Sequence, residues 1–306
     1  MPKKVGAGRN LQEYSEKNGE YLEDDFSGGN TLSTEGVEDT GKTTSNGEYR
    51  QNTPYEQMVN PSKKYKTVQE AETALQEYAQ GVSLKGIKDV KTAQVIDDTI
   101  ESVTSKFPLK RKLDTIAINP RLKRTNAWAN YKLLEINAKY ANGEKVTKSW
   151  EERVAEKKSW IEFYEKRLQN PISYKERIAY GKEIKRLKSE IEYKRWSVSG
   201  SNDLEATILH EYGHIISDQY IGLVNKNLAN PNFSYSLDNK LREECLNVEK
   251  TYIKALQNGD IKNISLYAAQ DKDEFFAEAF TMYVKKEPLP NYITEMIEGV
   301  LKYGTM

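Results

Sequence analysis

The stretch Leu204–Tyr220, LEATILHEYGHIISDQY, holds the only two histidines of the chain, His210 and His214, and Glu211 follows the first of them. Residues four apart on an α-helix lie one turn above each other, so both imidazoles can reach one metal ion at about 2.0–2.1 Å. Two randomly placed histidines would show this spacing with an intervening glutamate about once in a thousand such chains. The stretch therefore predicts a buried helix that carries a zinc site.

The residues around the two histidines agree with such a helix. Ser201 or Asn202 is expected to cap its N-terminus. Glu211 is the predicted general base, which takes a proton from the attacking water and passes it to the leaving amine. The alternative, two structural histidines in a core helix, would leave Glu211 as a buried carboxylate without a partner. Apolar residues cover the remaining faces of the helix, namely Leu204, Ile208, Leu209, Ile215 and Ile216.

A catalytic zinc site usually takes three protein ligands, and the chain has no third histidine. Downstream, Asp271–Phe280 predicts a capped helix on which Glu274 and Glu278 lie one turn apart on the same face. We predict Glu274 as the third ligand, and Glu278 as the residue that holds a histidine through the ring nitrogen that does not bind metal. Cys245, Asp218 and Glu278 are competing ligand candidates, and the two glutamates could instead face solvent.

Two stretches, Leu204–Tyr220 and Ser265–Tyr283, resemble the catalytic domain of anthrax lethal factor, which belongs to the gluzincin branch of the zincin metallopeptidases. Similar metallopeptidase domains accompany minor head proteins of phages and mobile elements. The resemblance implies that zinc is bound by His210, His214 and Glu274, that Glu211 is the general base, and that Tyr267 stabilises the oxyanion.

The interval between His214 and Glu274 departs from the pattern of this family. It is long, and it contains Pro231 and an apparent extra helix, Leu237–Gln257, which we expect to reshape the substrate cleft. Nothing in the chain resembles the receptor-binding or translocation parts of a secreted toxin. The substrate class of the toxin is therefore not carried over.

Residues 1–66 are rich in Gly, Ser, Thr, Asn and acidic residues without sustained apolar periodicity, which predicts a flexible, largely disordered tail. A zincin-like metallopeptidase domain is expected over residues 67–306. In its first part, residues 67–145, we predict a helix from Thr67 towards Gln80 and another from Val90 to Phe107. Two strands are predicted next, over Asp114–Asn119 and Tyr131–Tyr140.

Residues 146–196 predict two long helices folded back on each other, because Ser149 and Ser173 each begin a capping box. Basic and acidic residues alternate on this hairpin, which is typical of a solvated surface. Residues 197–306 then form the zinc-site subdomain. The whole pattern predicts a mainly helical α+β fold with a small sheet beside the metal-binding helix.

Composition limits the partners of the chain. Its 46 basic and 46 acidic residues among 306 cancel, so no net field attracts nucleic acid, and no segment is apolar enough to span a bilayer. The single cysteine, Cys245, excludes an intramolecular disulfide and agrees with a reducing compartment. We expect a cytoplasmic protein, with association with virions as a further option. Its oligomeric state is left open.

The predicted function is that of a zinc-dependent endopeptidase acting on a polypeptide substrate. A strand edge such as Tyr131–Ala138 or Trp196–Ser199 is expected to align the peptide. The first alternative is a structural or assembly protein of a phage or mobile element in which the zinc is not catalytic. The second is nucleic-acid binding through the hairpin Lys148–Trp196, which the zero net charge disfavours.

Overall fold

A computed structural model describes residues 65–145, 147–200, 202–223 and 239–304. The tail predicted over residues 1–66 lies outside these ranges except for Tyr65 and Lys66, as does Ser201. All described residues belong to one compact unit. The helices are α1 Val68–Leu75, α2 Val90–Lys106, α3 Ala138–Ala141, α4 Trp150–Leu168, α5 Tyr174–Glu190, α6 Leu204–Ile221, α7 Asn239–Asn258, α8 Ile261–Ile264, α9 Lys272–Lys285 and α10 Asn291–Gly304, and the strands are β1 Ala79–Ser83, β2 Leu113–Asn119, β3 Ala127–Asn130 and β4 Leu133–Asn137.

The four strands form one mixed sheet in the order β1-β2-β4-β3. Strands β1, β2 and β4 are parallel, and β3 runs antiparallel to β4 at one edge. The predicted mainly helical α+β fold with a small sheet is confirmed. No helix among the described residues is both long enough and apolar enough to cross a membrane.

Several helix and strand boundaries predicted for residues 67–145 are wrong. Helix α1 begins after its cap Thr67 as expected, but it ends at Leu75, and Ala79–Ser83 forms β1 instead of continuing the helix. The strand predicted over Tyr131–Tyr140 is shorter, because Asn137 caps a helical turn, α3. Strand β3 was not predicted.

The two strand edges proposed for peptide alignment are also wrong. Tyr131–Ala138 contains β4, which lies inside the sheet between β2 and β3, so its backbone groups are already paired on both sides. Trp196–Ser199 forms no strand. Among the described residues, the edge strands are β1 and β3.

One face of the sheet packs on helices and forms a hydrophobic cluster. Ile116, Ile118, Leu134 and Ile136 alternate along β2 and β4 with side chains that are less buried, as expected for a sheet with one covered face. Helix α6 contributes Ile208 and Ile215 to this cluster, at positions seven apart. Helix α6, which carries both histidines, is thus fixed against the sheet. Further members of the cluster are Ala71, Leu75, Ala93, Ile96 and Ile100 of α1 and α2.

Helices α4 and α5 form the predicted hairpin. Ser149 and Ser173 each make a complete capping box, with Glu152 and Glu176 respectively. The hairpin has a small core of its own around Ile161, Tyr164 and Leu187. Within the described residues, it joins the body near the indole of Trp150, which donates a 3.1 Å hydrogen bond to the Tyr193 carbonyl.

Helix α6 begins at Leu204 and is capped by Asp203, whose side chain accepts a 2.9 Å hydrogen bond from the Ala206 amide. The cap is therefore neither of the predicted residues, because Asp203 directly precedes the first helical turn. On the side away from the sheet, α6 packs with α7, α9 and α10 around a second cluster. Its largest fully buried side chains are Tyr212, Tyr220, Phe275, Phe276 and Phe280.

Helices α6 and α9 approach closely at Gly213. A β-carbon at this position would lie 3.0 Å from the Ala277 α-carbon and 3.2 Å from Cδ1 of the Phe280 ring. The first distance is shorter than ordinary van der Waals contact, and it involves backbone that cannot rotate away. The missing side chain of Gly213 therefore sets the spacing between the two helices.

We expect Gly213→Ala to lower the free energy of unfolding. Alanine favours the helix by about 1 kcal/mol, but overpacking at a rigid contact costs about 1–3 kcal/mol. Gly181→Ala is the matched control, because Gly181 lies in α5 with open space at its α-carbon, so the same change should be neutral or stabilising. Urea unfolding followed by circular dichroism measures both. A Gly213→Ala protein as stable as the Gly181→Ala protein would contradict the close approach.

Candidate metal centre

Helices α6 and α9 bring His210, His214 and Glu274 together. The two Nε2 atoms lie 3.1 Å apart. Oε2 of Glu274 lies 3.1 Å from Nε2 of His210 and 3.3 Å from Nε2 of His214. The three predicted ligand atoms therefore form a nearly equilateral triangle, and this cluster could hold a metal ion.

The size of the triangle fits a tetrahedral ion. With zinc–ligand distances of about 2.0–2.1 Å, two ligand atoms in a tetrahedral site lie about 3.3–3.4 Å apart. An ion slightly above the triangle would reach all three atoms with small adjustments. Oε2 of Glu274 is buried, and the two imidazoles are its nearest polar neighbours. A buried carboxylate oxygen that faces two imidazole nitrogens also favours a cation here.

The electrostatics of the cluster favour positive charge between the three side chains. Burial alone would raise the pKa of Glu274, but its hydrogen bonds to His210 and His214 and their charges hold it well below its usual range. Burial lowers the pKa of His210, whereas hydrogen bonds with Glu274 and Glu278 raise it well above its usual value.

Glu211 lies beside the cluster and is not part of the triangle. Its side chain is buried, with 8% exposure. Burial raises the pKa of its carboxyl, which the charges of His210 and His214 partly oppose. A carboxylate with a raised pKa is better suited to accept a proton near neutral pH.

Glu278 is completely buried and connects three segments of the chain. Its Oε1 lies 3.0 Å from Nδ1 of His210, the ring nitrogen that does not face the other ligands. Its Oε2 accepts a 2.6 Å hydrogen bond from the Val198 amide and another of 2.6 Å from the Ser265 hydroxyl. A proton on Nδ1 of His210 leaves Nε2 free for a metal, which is the role predicted for this residue.

Ser265 links Glu278 to the segment that carries Tyr267. Its hydroxyl accepts a 2.9 Å hydrogen bond from the amide of Ala268, which lies within the 3₁₀ turn Tyr267–Ala269. The Tyr267 amide donates a 2.8 Å hydrogen bond to the Trp196 carbonyl. Sequence reasoning did not predict the contacts of Ser265 and the Val198 amide with Glu278, because these positions follow only from the tertiary contacts.

The Tyr267 ring lies beside the cluster, with its centroid 5.7 Å from that of His210. Burial, the charges of Glu274 and Glu211, and a hydrogen bond to Glu274 all raise the pKa of its phenol. The phenol therefore stays protonated and can donate a hydrogen bond.

Comparison with protein-family models, curated proteins and solved structures finds no match for this chain.

The competing ligand candidates are engaged elsewhere. Asp218 lies one turn beyond His214, and its Oδ2 accepts a 3.0 Å hydrogen bond from the Tyr131 amide. The Cys245 thiol lies 2.9 Å from the Ile221 carbonyl, and burial raises the pKa of this thiol to about 11, which disfavours a thiolate ligand. The third candidate, Glu278, contacts His210 instead of completing the triangle.

A second acidic group lies on α2 and consists of Asp97, Asp98 and Glu101. It contains no imidazole, and the Tyr65 hydroxyl donates a hydrogen bond to Asp97. Acidic groups of this kind are common without a bound ion.

We expect Glu274→Ala to lose zinc more readily than the parent, because it removes one corner of the triangle. Asp218→Asn is the control, since asparagine keeps an acceptor for the Tyr131 amide and Asp218 is not at the triangle. Elemental analysis after dialysis at neutral pH gives the zinc content per chain. If Glu274→Ala retains as much zinc as the parent while Asp218→Asn loses it, the ligands have been assigned wrongly.

Proposed function

We propose that this chain is a zinc-dependent endopeptidase of the zincin type, resembling the gluzincins. The observation that supports this most directly is the triangle of His210, His214 and Glu274 with a buried glutamate, Glu211, next to it. Three protein ligands leave one position of a tetrahedral ion for water or substrate, whereas structural zinc sites usually have four. Among the described residues, the cluster has no fourth ligand.

His210, His214 and Glu274 would hold the ion. Zinc bound at such a site polarises a carbonyl group and lowers the pKa of water. Glu211 accepts a proton from the attacking water and delivers it to the nitrogen of the leaving amine, so that the peptide bond breaks without releasing an amide anion. Its raised pKa suits both halves of this transfer.

Tyr267 and Glu278 support the reaction in different ways. The protonated phenol of Tyr267 donates a hydrogen bond to the carbonyl oxygen as negative charge develops there. Glu278 fixes the orientation and tautomer of His210 through Nδ1, and it holds the 3₁₀ turn of Tyr267 through Ser265. Tyr267 is thus a proposed catalytic residue, and Glu278 a positioning residue.

Strand β3 is the edge best suited to align a peptide. It packs against α6, and the turn that follows it is bonded to Asp218 at the Tyr131 amide. The Asn137 amide donates a hydrogen bond to the Asn126 carbonyl, so these two residues form a hydrogen-bonded pair of the antiparallel ladder. Hydrogen-bonded and non-hydrogen-bonded pairs alternate along β3. The backbone groups of Ala127 and Ala129 therefore point away from β4, where an extended peptide can pair with them.

The alternative is a structural or assembly protein with a non-catalytic zinc ion. A structural role gives no reason for Glu211, because a buried carboxylate that is not a ligand only costs stability. It also gives no reason for a tyrosine ring beside His210, which the peptidase uses as an oxyanion donor. Both features favour the peptidase.

We expect Tyr267→Phe to lower kcat by roughly ten- to a thousandfold while the zinc content stays unchanged, because one oxyanion donor is lost. Tyr193→Phe serves as a control, since Tyr193 is also partly buried but belongs to the segment leading out of the hairpin. Steady-state kinetics on a cleaved peptide and elemental analysis measure the two quantities. If Tyr267→Phe and the parent have equal kcat, Tyr267 is a packing residue and not an oxyanion donor.

We expect Glu211→Gln to retain zinc and the fold but to lose nearly all hydrolysis, because glutamine cannot accept the proton from water at neutral pH. Cleavage of a broad peptide library by the parent and the variant is followed by mass spectrometry, and peptides bound to the variant are recovered. If the parent cleaves nothing and the variant captures nothing while both contain zinc, the structural alternative is preferred.

A further inference from the structure

The segment around the edge strand β3 is strongly basic, although the chain as a whole is neutral. Between residues 110 and 132 there are seven basic side chains and one acidic side chain, Asp114. The basic residues fall into two groups, one at the turn that follows β3, where Arg111 and Lys132 meet at Tyr131, and one on the loop that leads into β3. They are Lys110, Arg111, Lys112 and Lys132 in one group and Arg121, Lys123 and Arg124 in the other.

The loop that leads into β3 has a fixed backbone. The buried side chain of Asn137 donates hydrogen bonds of 2.6 Å to the Leu122 carbonyl and 2.9 Å to the Thr125 carbonyl. Arg121 and Lys123 are exposed on this loop. A loop held in this way presents its charges at a defined place, beside the first residue of the edge strand.

The turn at the other end of β3 carries the second basic group. Arg111 and Lys132 each lie 5.5 Å from the centroid of the Tyr131 ring. Both also contact Asp114, at 2.8 Å and 3.7 Å respectively, so one carboxylate is shared by two cations and a positive charge is left over. The Gln219 side chain donates a 2.6 Å hydrogen bond to the Tyr131 carbonyl and so holds this turn against α6.

The surface between the two groups carries an exposed aromatic ring. Trp128 is 46% exposed, and it lies on the opposite face of the sheet from the buried Ala127 because side chains alternate along a strand. An exposed tryptophan on this strand offers a flat contact surface for a large side chain. A further cation, Arg153, lies 4.8 Å from the Trp196 ring, which in turn is 6.1 Å from that of Tyr267.

We propose that the peptide accepted along β3 is acidic, with carboxylates on both sides of a segment that contains an apolar or aromatic residue. This inference rests on the proposed peptidase function. The charges favour such a peptide over a neutral or basic one, because two groups of cations attract it and few carboxylates repel it. The two basic groups lie at opposite ends of the four-residue strand β3, so carboxylates on both sides of the paired segment reach both groups.

A nucleic acid would also meet cations and an exposed aromatic ring on this surface. The backbone groups of Ala127 and Ala129 favour a peptide, because they form the ladder that an extended polypeptide completes, whereas phosphates and bases do not match their spacing. The closeness of β3 to the metal-binding helix favours the peptide as well.

The test uses the zinc-loaded full chain and three peptides of equal length that share one central sequence and differ only in the outer residues, which are glutamate, glutamine or lysine. We expect kcat/KM to be at least about tenfold higher for the glutamate peptide than for the lysine peptide. We also expect this ratio to fall as salt is raised from about 50 to 300 mM, because exposed charges are screened.

Two double variants locate the effect. Arg121→Glu with Lys123→Glu should abolish or reverse the preference, whereas Lys158→Glu with Lys166→Glu, at exposed positions of the hairpin, should leave it unchanged. Cleavage of all three peptides at equal rates would overturn the acidic preference while supporting the peptidase. If the hairpin double variant also loses the preference for the glutamate peptide, the assignment of this preference to β3 is overturned.

Failure of the peptidase itself is distinguished by direct binding. If no peptide is cleaved, the proposed function is contradicted, and fluorescence anisotropy with the same labelled peptides decides whether the basic surface binds acidic chains. Loss of glutamate-peptide binding in the Arg121→Glu, Lys123→Glu variant supports the surface, and equal binding of all three peptides overturns it. Tighter binding of a single-stranded oligonucleotide than of the glutamate peptide, lost in the same variant, would also overturn the inference.

Discussion

The candidate site depends on one buried carboxylate. Glu278 has no exposed surface, and an ionised carboxylate in such a place needs donors on every side. A backbone amide at Val198 and a hydroxyl at Ser265 donate hydrogen bonds to its Oε2, and Nδ1 of the His210 imidazole lies 3.0 Å from its Oε1. Because each of these groups belongs to a different segment, satisfying Glu278 fixes the relative positions of α6, α9 and the two connecting segments that border the cluster.

This arrangement requires α6 and α9 to lie very close, and the local sequences allow it. Gly213 removes a side chain at the contact with Ala277, and Phe276 and Phe280 fill the space beside it. The same contact brings Glu274, one turn before Glu278, to the two histidines. The spacing of the ligand triangle is thus a consequence of helix packing, and no loop has to be ordered to bring the three ligand atoms together.

The sequence was sufficient to predict the parts of the fold that depend on local patterns. The helix of His210 and His214, the capping boxes at Ser149 and Ser173, and the helix capped by Asp271 can each be derived from residues within one or two turns. Strands β1 and β3 could not be predicted, because AQGVS and AWAN are short and neither alternates clearly between apolar and polar residues. Strand β1 pairs with β2, which is distant in the sequence. Strand β3 pairs with β4 only after the chain has reversed its direction at the turn between them.

The site residues also divide into those that local sequence predicts and those that depend on tertiary contacts. This explains why the strand edge expected to align the peptide was placed wrongly. The spacing of the histidines depends on one helix, whereas Ser265 and β3 acquire their places through contacts with other elements. Helix α6 connects the histidines to the strand edge. At one position His210 contacts Glu278, and eight residues later Asp218 holds the turn after β3. At 1.5 Å per residue these two contacts are about 12 Å apart along the helix. The rigid helix therefore sets the distance between the ligand cluster and the strand edge that is proposed to receive the peptide.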